Sequence, residues 1–128
     1  MKRIRILLVD DEEMVRLILR EYLTGDRHAV EAAANGPEGF EKFQGAEFDV
    51  VILDRAMPGM SGDQVAVAIK QIKPAIPVIL LTGFGNMMQA SGERPPGVDL
   101  VLAKPVTIAG LQSALASVVA SSPAARDA

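Results

Sequence analysis

The 128 residues carry 13 Lys or Arg against 16 Asp or Glu, a formal charge of -3, and no cysteine. That length suits one domain with its own core and is short for two. Without cysteine there is no disulfide, thiolate nucleophile or zinc–thiolate site, and without a basic patch there is no electrostatic footprint of nucleic-acid binding.

The first apolar run, "IRILLVD", is short, β-rich and closes on Asp10, with Asp11 next. Its basic start lacks the apolar length and cleavage site of a signal peptide, and no later run is long enough to span a bilayer, so a cytoplasmic chain without membrane contact is expected. "EEMVRLILREYL" sets Val15, Ile18, Leu19 and Tyr22 at helical spacing, with Arg16, Arg20 and Glu21 on other faces. Ala29 to Ala34 reads as a second strand of low β-propensity, with His28 expected at the surface just before it. "GPEGFEKFQG" is a short helix with Pro37 in its first turn. "FDVVILD" then reads as a strand buried on both faces, followed by a helix, "GDQVAVAIKQIK", and a strand, "PVILLT". "GNMMQASGERPPGVD" has room for a helix, but Gly92, Pro95 and Pro96 cut it to about two turns. A buried strand, "VDLVLA", and a last helix, "IAGLQSALASVVA", complete five β-α units. The prediction is one α/β domain over residues 1–121, a parallel sheet with helices on both faces, and a disordered tail over 122–128.

Chemistry in an open parallel sheet sits beyond the carboxyl ends of its strands. Asp10 and Asp11 close the first strand, Asp54 the third, Thr82 the fourth and Lys104 the fifth. Each has an ordinary reading: an acidic pair as a helix cap, Asp54 as a turn residue, Thr82 satisfied locally, Lys104 as a solvated loop cation, and Met57 and Met60 as packing. Taken together and in order, they point elsewhere. Three converging carboxylates repel one another and call for a cation, and an all-oxygen set suits Mg²⁺. Asp54 then fits a carboxylate nucleophile that accepts a phosphoryl group, with Thr82 and Lys104 on its oxygens.

The motifs "ILLVDDE", "VVILDRAMPGMSG", "PVILLTG" and "VLAKP" resemble those of response regulator receiver domains, over about residues 4 to 120. The resemblance implies a three-layer, flavodoxin-like fold whose five parallel strands run in the order 2-1-3-4-5. It implies Asp54 as phosphoacceptor and a Mg²⁺ site from Asp10, Asp11, Asp54 and the Ala56 backbone carbonyl. It also implies phosphoryl contacts from Thr82 and Lys104 and a cis Lys104–Pro105 bond. The donor would be a histidine kinase or histidine phosphotransfer protein, docked on Met14, Val15 and Ile18. The stretches "LLTGFG" and "GVDLVLAKPVT" look like receivers of hybrid histidine kinases.

The sequence departs from that pattern at one place. The family usually carries Tyr or Phe three residues before the fifth-strand Lys, and this chain has Val101. Its conformational output is therefore expected to differ, whether the chain is a monomer or a weak dimer. The expectation that no output domain follows Ala128 leaves a single-domain regulator, a phosphate shuttle and an excised receiver all open. So does a receiver-like interaction module that works without phosphorylation. A phosphatase resembling haloacid dehalogenases would need an acid two residues past its nucleophile, where Ala56 stands.

Overall fold

The computed structural model describes residues 3–121, and the expected tail over 122–128 lies outside them. The elements alternate as β1 (Arg5–Val9), α1 (Glu13–Gly25), β2 (Ala29–Ala33), α2 (Gly36–Gly45), β3 (Val50–Asp54), α3 (Gly62–Ile72), β4 (Val78–Thr82), α4 (Gly85–Ser91), β5 (Leu100–Ala103) and α5 (Ile108–Ser121). The strands pair in parallel in the order β2-β1-β3-β4-β5, the flavodoxin-like order. Among the described residues, no helix is long and apolar enough to cross a membrane.

Every residue of β3 and β4 is buried, which is why neither strand shows polar alternation. Their side chains alternate between two cores. Val51, Leu53 and Leu80 pack under α2, α3 and α4, against Phe43, Ile69 and Met88. Val50, Ile52, Ile79 and Leu81 face α1 and α5, against Leu19, Leu23, Leu111 and Leu115. Each such side chain contributes about 1.5–3 kcal/mol through burial, before the entropy of ordering it is counted. Met57 and Met60 take the packing roles expected of them, in the first of these cores.

Local chemistry sets the helix ends. The Asn35 side chain accepts the Glu38 N–H at 2.8 Å and begins α2. Ser61 and Gln64 form a capping box at the start of α3. α4 has seven residues and stops at Gly92, whose φ of 75° lies in the left-handed region, so the short fourth helix is as expected.

At the amino edge of the sheet, side chains rather than backbone satisfy several strand N–H groups. Asp49 accepts from Arg5 N, and Asp99 from Val78 N, each at 2.8 Å. His28 corrects the expectation of a surface residue: it is 4% exposed, and its Nδ1 accepts the Ile4 N–H at 3.2 Å. Arg27, at φ 70°, turns the chain so that the imidazole lies under the start of β1.

Candidate functional site: an acidic pocket at the strand ends

Asp10 follows β1 directly, and its surroundings fix it on all sides but one. Its N–H donates to Ala33 O at 3.1 Å, its carbonyl accepts from Arg16 Nη1 at 2.8 Å, and Oδ1 accepts the Glu12 N–H at 2.9 Å. The remaining oxygen, Oδ2, is buried and has no hydrogen-bond partner. Asp54 ends β3 and is 2% exposed. Gly62, the first residue of α3, rests on the Asp54 carbonyl so closely that any side chain there would collide with it. Carboxylate oxygens of Asp10, Asp11 and Asp54 all lie within 4.8 Å of one another.

Lys104 follows β5 and reaches into this cluster. Its Nζ lies 2.9 Å from Asp54 Oδ1, 3.5 Å from Asp10 Oδ2 and 4.0 Å from Glu12 Oε1. The Lys104–Pro105 bond is cis, as the resemblance implied. Pairing of Asp54 with Leu81 and of Thr82 with Ala103 places the Thr82 hydroxyl on the strand between Asp54 and Lys104. Thr82 is 4% exposed, and its Oγ1 accepts the Phe84 N–H at 3.2 Å.

The electrostatics follow from this crowding. Burial raises the pKa of Asp10, against the Glu12 N–H and the Lys104 charge, which lower it. Burial likewise pushes Asp54 up to about 6, with the Asp10 charge adding to the rise and Lys104 opposing it. For Lys104 burial works to lower the pKa, but its hydrogen bond to Asp54 and the charges of Asp10, Asp54 and Glu12 outweigh it and leave the group raised. One ammonium thus serves several carboxylates. An Asp10 oxygen that accepts no hydrogen bond, beside two further carboxylates, is the donor set of a hard, oxygen-seeking dication, so these residues fit Mg²⁺.

The sequence-derived candidates fall into two groups. Asp10, Asp11, Asp54, Thr82 and Lys104 converge on one pocket, and Ala56 is exposed in the loop beside it. Met14 and Ile18 lie on the outer face of α1, 67% and 41% exposed, whereas Val15 is half-buried against the α5-side core. Val15 and Ile18 also line a cleft of about 400 Å³ with Glu12, Lys104 and Pro105, which joins this face to the pocket. Sequence reasoning missed Leu17, 54% exposed beside Ile18. The i, i+3, i+4 spacing of Met14, Leu17 and Ile18 was its signal. It also missed Glu12 and Arg16, whose contacts with Lys104 and the Asp10 carbonyl depend on how the loop after β1 turns.

Residues 6–116 match the family described as response regulator receiver domain, and the chain belongs to that family. The transcriptional regulatory protein ResD of Bacillus subtilis is 38% identical over 101 residues, covering 79% of this chain and 42% of that protein. The chain spans less than half the length of the curated relatives it matches. The chemotaxis response regulator CheY4 of Vibrio cholerae superposes with a TM-score of 0.82 at 29% identity, over 91% of this chain and 99% of that one. The response regulator TrrA of Thermotoga maritima, solved in complex with Mg²⁺ and BeF, does so with a TM-score of 0.78 at 34% identity, over 89% and 97%. Receiver domains of this kind serve two-component systems as phosphoacceptors and signalling modules.

Proposed function

We propose that this chain accepts a phosphoryl group on Asp54 from a phosphohistidine of a histidine kinase or phosphotransfer protein, in a Mg²⁺-dependent reaction, and signals in the cytoplasm by the change in shape that follows. The observation that carries this is the Lys104 ammonium 2.9 Å from a buried Asp54, beside a buried Asp10 oxygen that accepts no hydrogen bond. An Asp54 carboxylate oxygen attacks phosphorus as the P–N bond breaks. The bonding pair returns to the imidazole, which leaves neutral because its other nitrogen already carries a proton. Mg²⁺, held by Asp10, Asp11, Asp54 and the Ala56 carbonyl, would supply positive charge to the transferring oxygens. Lys104 gives up part of its pairing with Asp54 to hold one of these oxygens, and the Thr82 hydroxyl donates to another. The exposed Met14, Leu17 and Ile18, with the cleft running from them to Lys104, offer the donor an apolar seat beside the acceptor. The chain acts only on itself, forming and losing its own aspartyl phosphate.

Intact mass measured after incubation with Mg²⁺ and either acetyl phosphate or phosphoramidate tests this reading, the second donor presenting a P–N bond. One added phosphoryl group is expected, dependent on Mg²⁺ and absent from Asp54→Ala. A folded wild-type chain that gains no mass from either donor would overturn the reading.

A further inference from the structure

The cleft beside the pocket has the shape of a small-molecule site. Val15 and Ile18 wall it from α1, Pro105 and Val106 wall it from the connection between β5 and α5, and Lys104 and Glu12 form its polar end. Lys104 belongs to both compartments. Its Nζ lies 2.9 Å from Asp54 Oδ1 and 4.0 Å from Glu12 Oε1, and the same side chain lines the cleft. At about 400 Å³ the space is large enough for a small molecule and not only for one side chain.

Its two ends ask for different chemistry. The polar end places an ammonium beside the acceptor carboxylate, which suits a phosphoryl group. The walls are apolar, which suits a carbon chain, and the Glu12 carboxylate disfavours a chain that carries a second negative charge. A carboxylate such as Asp54 is a weak nucleophile, so the chain must be joined to phosphorus through a group that leaves readily. A mixed anhydride of phosphate and an aliphatic carboxylic acid meets all three demands.

We propose, on the reading of Asp54 as phosphoacceptor, that this cleft is an acyl subsite, which selects acyl phosphates with a short apolar chain, such as butyryl phosphate, over acetyl phosphate. An Asp54 oxygen attacks phosphorus and the bond from phosphorus to the acyl oxygen breaks. The electron pair leaves with the carboxylate, which needs no proton. The chain lies along Val15, Ile18 and Val106 before and during transfer alike. Such contacts lower the donor concentration needed and leave the maximal rate unchanged. A protein donor seated on α1 and a small donor in the cleft would exclude one another.

The test follows the intact mass of the wild-type chain at several concentrations of acetyl, propionyl and butyryl phosphate, with Mg²⁺ present. The three leaving carboxylates are of nearly equal basicity, so the chemical step is held constant along the series. A methylene moved from water onto apolar walls favours binding by up to about fourfold. The half-saturating concentration should therefore fall about tenfold from acetyl to butyryl phosphate, at an unchanged maximal rate. Val106→Phe fills the cleft from a residue that packs on the α5-side core. There the fall should vanish, while acetyl phosphate reacts as with the wild-type chain. Equal half-saturation by the three donors overturns the inference and leaves the acceptor reading intact. A fall that persists undiminished in Val106→Phe overturns it too, because the preference would then arise outside the cleft. A wild-type chain that gains no mass from any of the three sinks the acceptor reading and this inference with it.

Discussion

His28 can accept the Ile4 N–H only while its Nδ1 carries no proton, and burial holds the imidazole pKa below its ordinary 6.5, although the Asp26 charge pulls the other way. The unfolded chain therefore binds this proton more readily than the folded one. Stability from the contact is complete above the unfolded value and is lost as pH falls through it toward the folded value. An asparagine oxygen can take the place of Nδ1 without titrating. We expect His28→Asn to flatten the fall in melting temperature between about pH 7.5 and 5.5, at a cost of about 1 kcal/mol at the upper end. Thermal denaturation at fixed ionic strength checks this, and parallel pH profiles would remove His28 from the account. Single residues were legible in the sequence where a polar group interrupts an apolar run, as at Asp10, Asp54, Thr82 and Lys104. His28 was not, because its partner lies 24 residues away and the bond exists only once β1 and β2 pair.

At the scale of elements, two neighbouring residues separate stability from site geometry. Ser61 caps α3, and Gly62 supports the acceptor by lying on the Asp54 carbonyl. Ser61→Ala should cost about 1 kcal/mol in chemical denaturation and leave phosphorylation by acetyl phosphate near the wild-type rate. Gly62→Ala forces the end of β3 and the start of α3 apart, and phosphorylation should fall by more than the lost stability explains. Equal losses in the two variants would mean that Gly62 is only a packing residue. The capping residues and the breakers at Gly92, Pro95 and Pro96 made helix ends readable in advance, and α4 came out short for that reason. Strand starts were less readable. "FDVVILD" and "VDLVLA" suggested longer strands, but Asp49 and Asp99 stand just before β3 and β5, where each donates its N–H to the carbonyl of Arg5 or Val78 and turns its carboxylate onto the N–H of that same residue.

At the scale of the molecule, the sheet divides the apolar side chains into two cores that share no residue among the described residues. Ile69 belongs to one and Ile79 to the other, both fully buried. Each Ile→Val change should cost about 0.5–1.5 kcal/mol, and the double variant should equal the sum within about 0.5 kcal/mol in equilibrium denaturation. A larger deviation would show that the layers communicate through the strands. Five alternating β-α units were enough to predict a parallel sheet covered on both faces. The strand order was not readable from hydrophobic pattern, since each buried run would suit several places in the sheet. It followed from the likeness of motifs.

The pairing of Asp54 with Leu81 and of Thr82 with Ala103 has a meaning for fidelity. A slip of one residue between strands would send every side chain of the displaced strand to the opposite layer. Because the pocket takes its groups from β1, β3, β4 and β5, a slip in any of these four strands takes it apart. On the proposed reading, a copy of the chain with a slipped strand lacks the acceptor pocket and stays mute rather than sending a false message.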